Sequence, residues 1–211
     1  MSKISDKPAP TASNTYLWIA CCEGPLAMPE LQSTFSNVFV HHNLGNLVND
    51  TDLNCISVVQ SAIELSGVTD AFICGHYGCV AVQAALSEDS LGRIDNWVSP
   101  IMQLYEEQRL DLHSIVSVSA LEDRLCELNV YQQVCNLCRT SVVQAAWARG
   151  QPFTAHGLIY AEQGCFQDLG ISVSSTKKLN AAEACIGVAD GVAHETAVME
   201  GLDELRGKQI H

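Results

Sequence analysis

The stretch Cys74-Gly75-His76-Tyr77-Gly78-Cys79 constrains this chain more than any other. It follows Ala71-Phe72-Ile73, a short apolar run that reads as a buried strand, and precedes Val80-Ala81-Val82-Gln83-Ala84-Ala85-Leu86, which reads as a helix. A strand that stops at a Gly-rich turn and restarts as a helix presents His76 and Cys79 at one strand end. Imidazole and thiolate are ligand types that zinc prefers, and at this spacing they can share one ion. Cys21-Cys22, just after Tyr16-Leu17-Trp18-Ile19-Ala20, is the natural source of a third ligand from a neighbouring strand. Cysteine is also commonly buried without function, so spacing alone leaves open that these are small core residues in a tight turn.

The rest of the chain alternates strand and helix signals. Tyr16 to Ala20 and Asn37 to His41 read as strands one and two. From Thr51 to Leu65 apolar residues recur at helical spacing (Leu53, Ile56, Val59, Ala62, Ile63), with Asp52 in the first turn, where a negative charge suits the helix dipole. Met28-Pro29-Glu30-Leu31 begins a short helical stretch, and Ser87 to Gly92 is a polar loop. Trp97 to Arg109, Leu125 to Leu137 and Ser141 to Arg149 read as helices, and Phe153 to Tyr160 as strand four. Ser114 to Val118 fits no buried strand. Alternation of this kind implies an α/β fold with a central, mainly parallel sheet flanked by helices. Sites in such sheets lie at the carboxyl ends of strands, where Cys21, His76 and Cys79 fall.

At 211 residues the chain suits a single domain over residues 15–211, preceded by a flexible arm, residues 1–14, rich in Lys, Pro, Ser and Thr. A formal charge of −13 argues against nucleic acid or an anionic membrane as partner. No apolar run is long enough to cross a membrane, and no secretory leader is evident, so ten cysteines read as reduced thiols in a cytoplasmic protein. The tail from Ser175 to His211 offers helices at Ala181 to Val188 and Ala193 to Leu205, and its small residues suggest close packing against another subunit. Cys135-Asn136-Leu137-Cys138 has C-x-x-C spacing but lies within an expected helix, where packing is the better account.

Several segments together resemble the β-class carbonic anhydrases. They are Trp18-Ile19-Ala20-Cys21, Phe39-Val40-His41-His42-Asn43-Leu44-Gly45-Asn46-Leu47-Val48, Cys74 to Cys79, and Gly92-Arg93-Ile94-Asp95-Asn96-Trp97. Glu127-Leu128-Asn129-Val130, Gln144 to Gln151 and His156-Gly157-Leu158-Ile159-Tyr160 follow in the family's order, so the resemblance runs from about Trp18 to Leu169. It implies one zinc per chain on Cys21, His76 and Cys79, a homodimer or tetramer, and addition of zinc-bound hydroxide to carbon dioxide. Carbonyl sulfide and carbon disulfide are alternative substrates of the same shape.

The departures from the family pattern cluster at the site. The family carries Asp two residues after its first zinc cysteine and Arg four residues after; here those positions are Glu23 and Pro25. The family's Arg after His in strand two is His42, the Gly before the first ligand is Ala20, and the Gly-Gly after the last is Val80-Ala81. In the resembling enzymes the Asp-Arg pair keeps the carboxylate off the metal. Pro25 offers no such restraint, so Glu23 is expected as a fourth zinc ligand or an altered acid/base, with ordinary hydration weak. His42 is expected either to shuttle protons or to make a simple hydrogen bond, the latter being favoured. Loss of the Arg at that position should also remove a regulatory bicarbonate pocket that Trp18 and Tyr160 help to form in some relatives. The other function class is a zinc-stabilised interaction or regulatory subunit without activity.

Overall fold

A computed structural model describes residues 15–25, 36–161 and 165–186. The expected arm, the helical start at Met28 and the helix at Ala193 to Leu205 lie outside them. Five strands form one sheet in the order β2-β1-β3-β4-β5. They are β1 (Thr15–Cys21), β2 (Asn37–Asn43), β3 (Asp70–His76), β4 (Thr154–Tyr160) and β5 (Phe166–Val173). Pairings β1–β2, β1–β3 and β3–β4 are parallel, and β4–β5 is antiparallel. The α/β architecture with a mainly parallel central sheet is therefore as expected.

β1 and β3 are buried along nearly their whole length, which is why they read as unbroken apolar runs rather than alternating ones. β1 is the turning point of the topology, with β2 on one side and β3 on the other. The crevice beyond the carboxyl ends of such a strand pair is where α/β sheets build sites. Cys21 ends β1 and His76 ends β3.

The helices are α1 (Leu53–Gln60), α2 (Val80–Leu86), α3 (Arg93–Glu107), α4 (Arg109–Leu112), α5 (Val118–Arg139), α6 (Ser141–Ala148) and α7 (Thr176–Ile186). Asp52 caps α1, its side chain accepting from Asn54 N, and the helix widens into a π turn over Ser61–Leu65, together filling the expected span. α3 starts at Arg93 rather than Trp97, because Asp95 accepts hydrogen bonds from the Leu91 and Gly92 amides and anchors an earlier first turn. α5 starts at Val118 rather than Leu125. Ser117, inside the unassigned stretch, is its N-cap, with Oγ accepting from Ala120 N. α7 begins at Thr176, ahead of the expected Ala181.

α5 approaches the sheet most closely at Val130. Val130 lies over two glycines on adjacent strands, Gly75 of β3 and Gly157 of β4. A Cβ at Gly75 would lie 2.6 Å from Val130 Cγ2, and one at Gly157 would lie 3.1 Å from Cγ1. Absent side chains there let the helix approach closely. Cys135 and Cys138 point into this core and are fully buried, which agrees with packing as their role. The other sheet face carries a smaller aromatic cluster of Tyr16, Trp18 and Phe72, flanked by Tyr160 and Phe166. Among the described residues, no helix is long and apolar enough to cross a membrane.

Candidate metal centre

The fold brings four of the expected side chains together. Cys21, Glu23, His76 and Cys79 offer ligand atoms that all lie within 4.8 Å of one another. Neighbouring strands supply Cys21 and His76. Gly78, at φ +69°, turns the chain back so that Cys79 arrives at the N-cap position of α2. Both sulfurs are buried.

The spacing is that of a tetrahedral metal site. Two sulfurs at about 2.3 Å from one zinc ion would be separated by about 3.8 Å; the Cys21 and Cys79 Sγ atoms are 3.8 Å apart. His76 Nδ1 lies 3.0 Å from the Tyr77 carbonyl, which requires its proton on Nδ1 and leaves the Nε2 lone pair free. Nε2 is buried and finds no hydrogen-bond partner among the described residues. A buried nitrogen without a partner costs about 1–3 kcal/mol unless something occupies it. A cation would do so.

Electrostatics point the same way. A hydrogen bond with the Cys79 thiol pulls the Cys21 thiol well below its ordinary range, with His76 assisting. Cys79 is pushed up in return, chiefly by that same bond to Cys21, so the two sulfurs resist ionising together. His76 is pushed up, mainly by the Cys21 sulfur beside it. A divalent cation supplies the positive charge that lets both sulfurs ionise.

Backbone and helix groups that sequence reading missed hold these ligands. The Gly45 amide donates to Cys21 Sγ at 3.3 Å. Gly45 is fixed in turn by Asn129 Nδ2 on its carbonyl (2.9 Å), and Asn129 Oδ1 accepts from Gln133 Nε2 (2.9 Å). Gln133 Oε1 accepts from the Val48 amide (2.9 Å), closing the network on the loop after β2. Tyr77, inside the ligand turn, donates to Glu127 Oε1 at 2.9 Å, and Arg124 Nη1 donates to Glu127 Oε2 at 2.8 Å. The signal for this support was Glu127, Asn129 and Gln133, polar residues buried inside a helix that must face the core. Asn46 adds a buried Nδ2 without a partner and a left-handed backbone at φ +48°.

The departures take definite positions. Glu23 is partly exposed; its Oε2 lies 3.9 Å from His76 Nε2 and accepts a hydrogen bond from the Val80 amide at 3.1 Å. Pro25 turns its carbonyl to Trp18 Nε1 (3.1 Å), so the indole donor that helps to form the bicarbonate pocket in some relatives is engaged within the chain. His42 stands on β2 beside β1; its Nε2 is buried and has no partner among the described residues, so the expected hydrogen bond is not seen there at that atom. Burial pushes its pKa down, opposed by the charge of Cys21. Cys22 is exposed and outside the cluster. A cavity of about 390 Å³ lies elsewhere, between Leu47–Asp50, α3 and the end of α5, and contains none of the four clustered residues.

Comparison with known proteins agrees with this geometry. The family model described as carbonic anhydrase matches residues 16–164. A carbonic anhydrase of Emericella nidulans is 32% identical over 168 residues, covering 79% of this chain and 74% of the relative. Among solved structures, a Coccomyxa β-carbonic anhydrase in complex with acetazolamide superposes with a TM-score of 0.73 at 32% identity, over 84% of this chain and 80% of that one. A structure from work on two tetrameric β-carbonic anhydrases of Sordaria macrospora superposes with a TM-score of 0.68 at 27% identity, over 80% and 84%. The matched span holds both strand ends, the Gly-rich turn and the α5 residues that support them: the chain belongs to the β-carbonic anhydrase family.

Proposed function

We propose that Cys21, His76 and Cys79 hold one zinc ion and that the chain catalyses addition of water to carbon dioxide, or to a like-shaped molecule such as carbonyl sulfide or carbon disulfide. The observation that carries this is the buried, partnerless Nε2 of His76 facing two sulfurs at the edge length of a zinc tetrahedron. Zinc held by these residues would supply a Lewis acid able to make water acidic near neutral pH, as in a carbonic anhydrase site of three histidines where the value is about 7.

This chain's residues do the rest. Gly45 N–H and the Asn129–Gln133 network fix the Cys21 sulfur, and Glu127 fixes the turn that carries His76 and Cys79. Glu23 is placed to accept a proton at Oε1 or Oε2, or to compete for the open position. Loss of the cationic partner at position 25 should leave carbon dioxide hydration weaker than in relatives with the Asp-Arg pair. Stopped-flow hydration on protein with verified zinc content tests the proposal; activity at the buffer rate, with zinc present, would reject it. Such a result would favour the second reading, a zinc-stabilised interaction or regulatory subunit, which the replacement of the Asp-Arg pair by Glu23 and Pro25 supports. Assembly as a homodimer or tetramer is part of the proposal, and light scattering that gave a stable monomer at micromolar concentration would count against it.

A further inference from the structure

We infer that the backbone amide of Val80 takes over the restraining task of the family's missing arginine, holding the Glu23 carboxylate beside the metal position rather than on it. The inference rests on the zinc reading above and concerns which group positions Glu23. Two ligand atoms at about 2.0–2.1 Å from one zinc ion would lie about 3.3 Å apart. Glu23 Oε2 and His76 Nε2 are 3.9 Å apart, wider than that edge. What holds it there is visible: Val80 N donates to that same oxygen at 3.1 Å.

Val80 is the first residue of α2, where a backbone N–H has no partner within its own helix. Its donor is therefore free to serve a side chain. A hydrogen bond to a charged acceptor is stronger than one between neutral groups, enough to hold a carboxylate in one of two nearby places. Val80 is a positioning residue through its amide; its side chain is half-exposed and plays no part. A substitution that removes the arginine from position 25 is then tolerable, because the carboxylate keeps a restraint that no side chain supplies.

Proline provides a selective test. At the first position of a helix it removes the N–H and keeps the helical φ. The preceding residue must be extended, and Cys79 already is, at φ −65° and ψ 121°. Val80→Pro therefore deletes the hydrogen bond and leaves the helix in place. Cobalt(II) would replace zinc in the full chain, with thiocyanate as a spectroscopic probe of the fourth position. Thiolate-to-cobalt charge-transfer absorption first reports whether the cysteines bind the metal; its absence would overturn the zinc reading and this inference with it.

With that absorption present, Val80→Pro should weaken thiocyanate binding about tenfold, because the freed carboxylate closes the position. In a Glu23→Ala background the same change should have no effect. Equal weakening in both backgrounds, or none in either, would overturn the inference while leaving the metal assignment intact. If Val80→Pro does not fold, hydrogen exchange at the Val80 amide decides. Glu23→Ala should speed it at least tenfold, and an unchanged rate would overturn the inference.

Discussion

Gly75 links the packing of the fold to the metal centre, and Gly75→Ala should damage both. The new Cβ would lie 2.6 Å from Val130 Cγ2 and 3.1 Å from Ile159 Cδ1. Ordinary carbon contacts begin near 3.5 Å, so helix or strand must part by close to 1 Å. Val130 cannot turn aside: it is fully buried, branched at Cβ, and its other methyl is seated over Gly157. Overpacking of this kind costs about 1–3 kcal/mol. The strand side of the clash is next to His76, so part of the strain should appear as weakened zinc binding. Urea unfolding and competition with a chelator would read the two effects separately. Val130→Ala removes the offending methyl, and although it leaves a cavity in wild-type protein, the double variant should be more stable than the sum of the single losses by about 1 kcal/mol. Additive losses, or a Gly75→Ala protein as stable as wild type with unchanged zinc affinity, would show that the close approach of α5 to β3 is not what requires glycine.

Elemental analysis should find zinc lost from Cys79→Ala and retained by Cys22→Ser, because only Cys79 belongs to the cluster; full retention by Cys79→Ala would reject the ligand assignment. Stability should fall on the alkaline side through buried thiols remote from the metal. Burial pushes Cys55 and Cys135 up to about 11 from the ordinary 9.0, and raises Cys138 as well. Because the unfolded chain gives up these protons first, stability is undiminished below pH 9 and is lost as pH rises towards 11. Three such groups remove about 3 kcal/mol between pH 9 and 10, and an unchanged urea midpoint over that unit would contradict it. Finally, Glu23→Asp combined with Pro25→Arg should raise stopped-flow hydration more than either change alone, since only the pair supplies a short carboxylate and its cationic restraint; no gain from the pair would show that Glu23 does not limit the rate.

Elements with one or both faces buried were legible in the sequence. β1, β3 and β4 were visible because their apolar runs have no other use, and the turn between His76 and Cys79 because glycine permits its backbone. β5 was not visible. It is an edge strand, its sequence Phe-Gln-Asp-Leu-Gly-Ile-Ser-Val mixes polar residues with a glycine at φ +72°, and its pairing with β4 slips between His156 and Leu158. An edge strand buries too little to require a continuous apolar pattern. The first turns of α3 and α5 were missed for a related reason. Both are exposed and set by caps, Asp95 and Ser117, rather than by apolar spacing.

At the site, side chains were legible and backbone groups were not. Cys21, His76 and Cys79 declare their chemistry through residue type, and the loss of Asp and Arg after Cys21 is plain from Glu23 and Pro25. The donor that now meets Glu23 is a peptide N–H, which every residue but proline carries, so Val80 reads only as a lost glycine. The same holds for Gly45, whose amide reaches Cys21 Sγ. Substitutions that look like losses in a row of letters can therefore leave the electrostatics of a site largely in place. Pro25 brings no charge, but its carbonyl ties the loop after β1 to Trp18, while the Val80 amide meets the Glu23 carboxylate. The Glu23 carboxylate thus answers to a backbone group one residue from Cys79, and changes to the packing of β3 and α5, which hold that turn, should be felt at the metal.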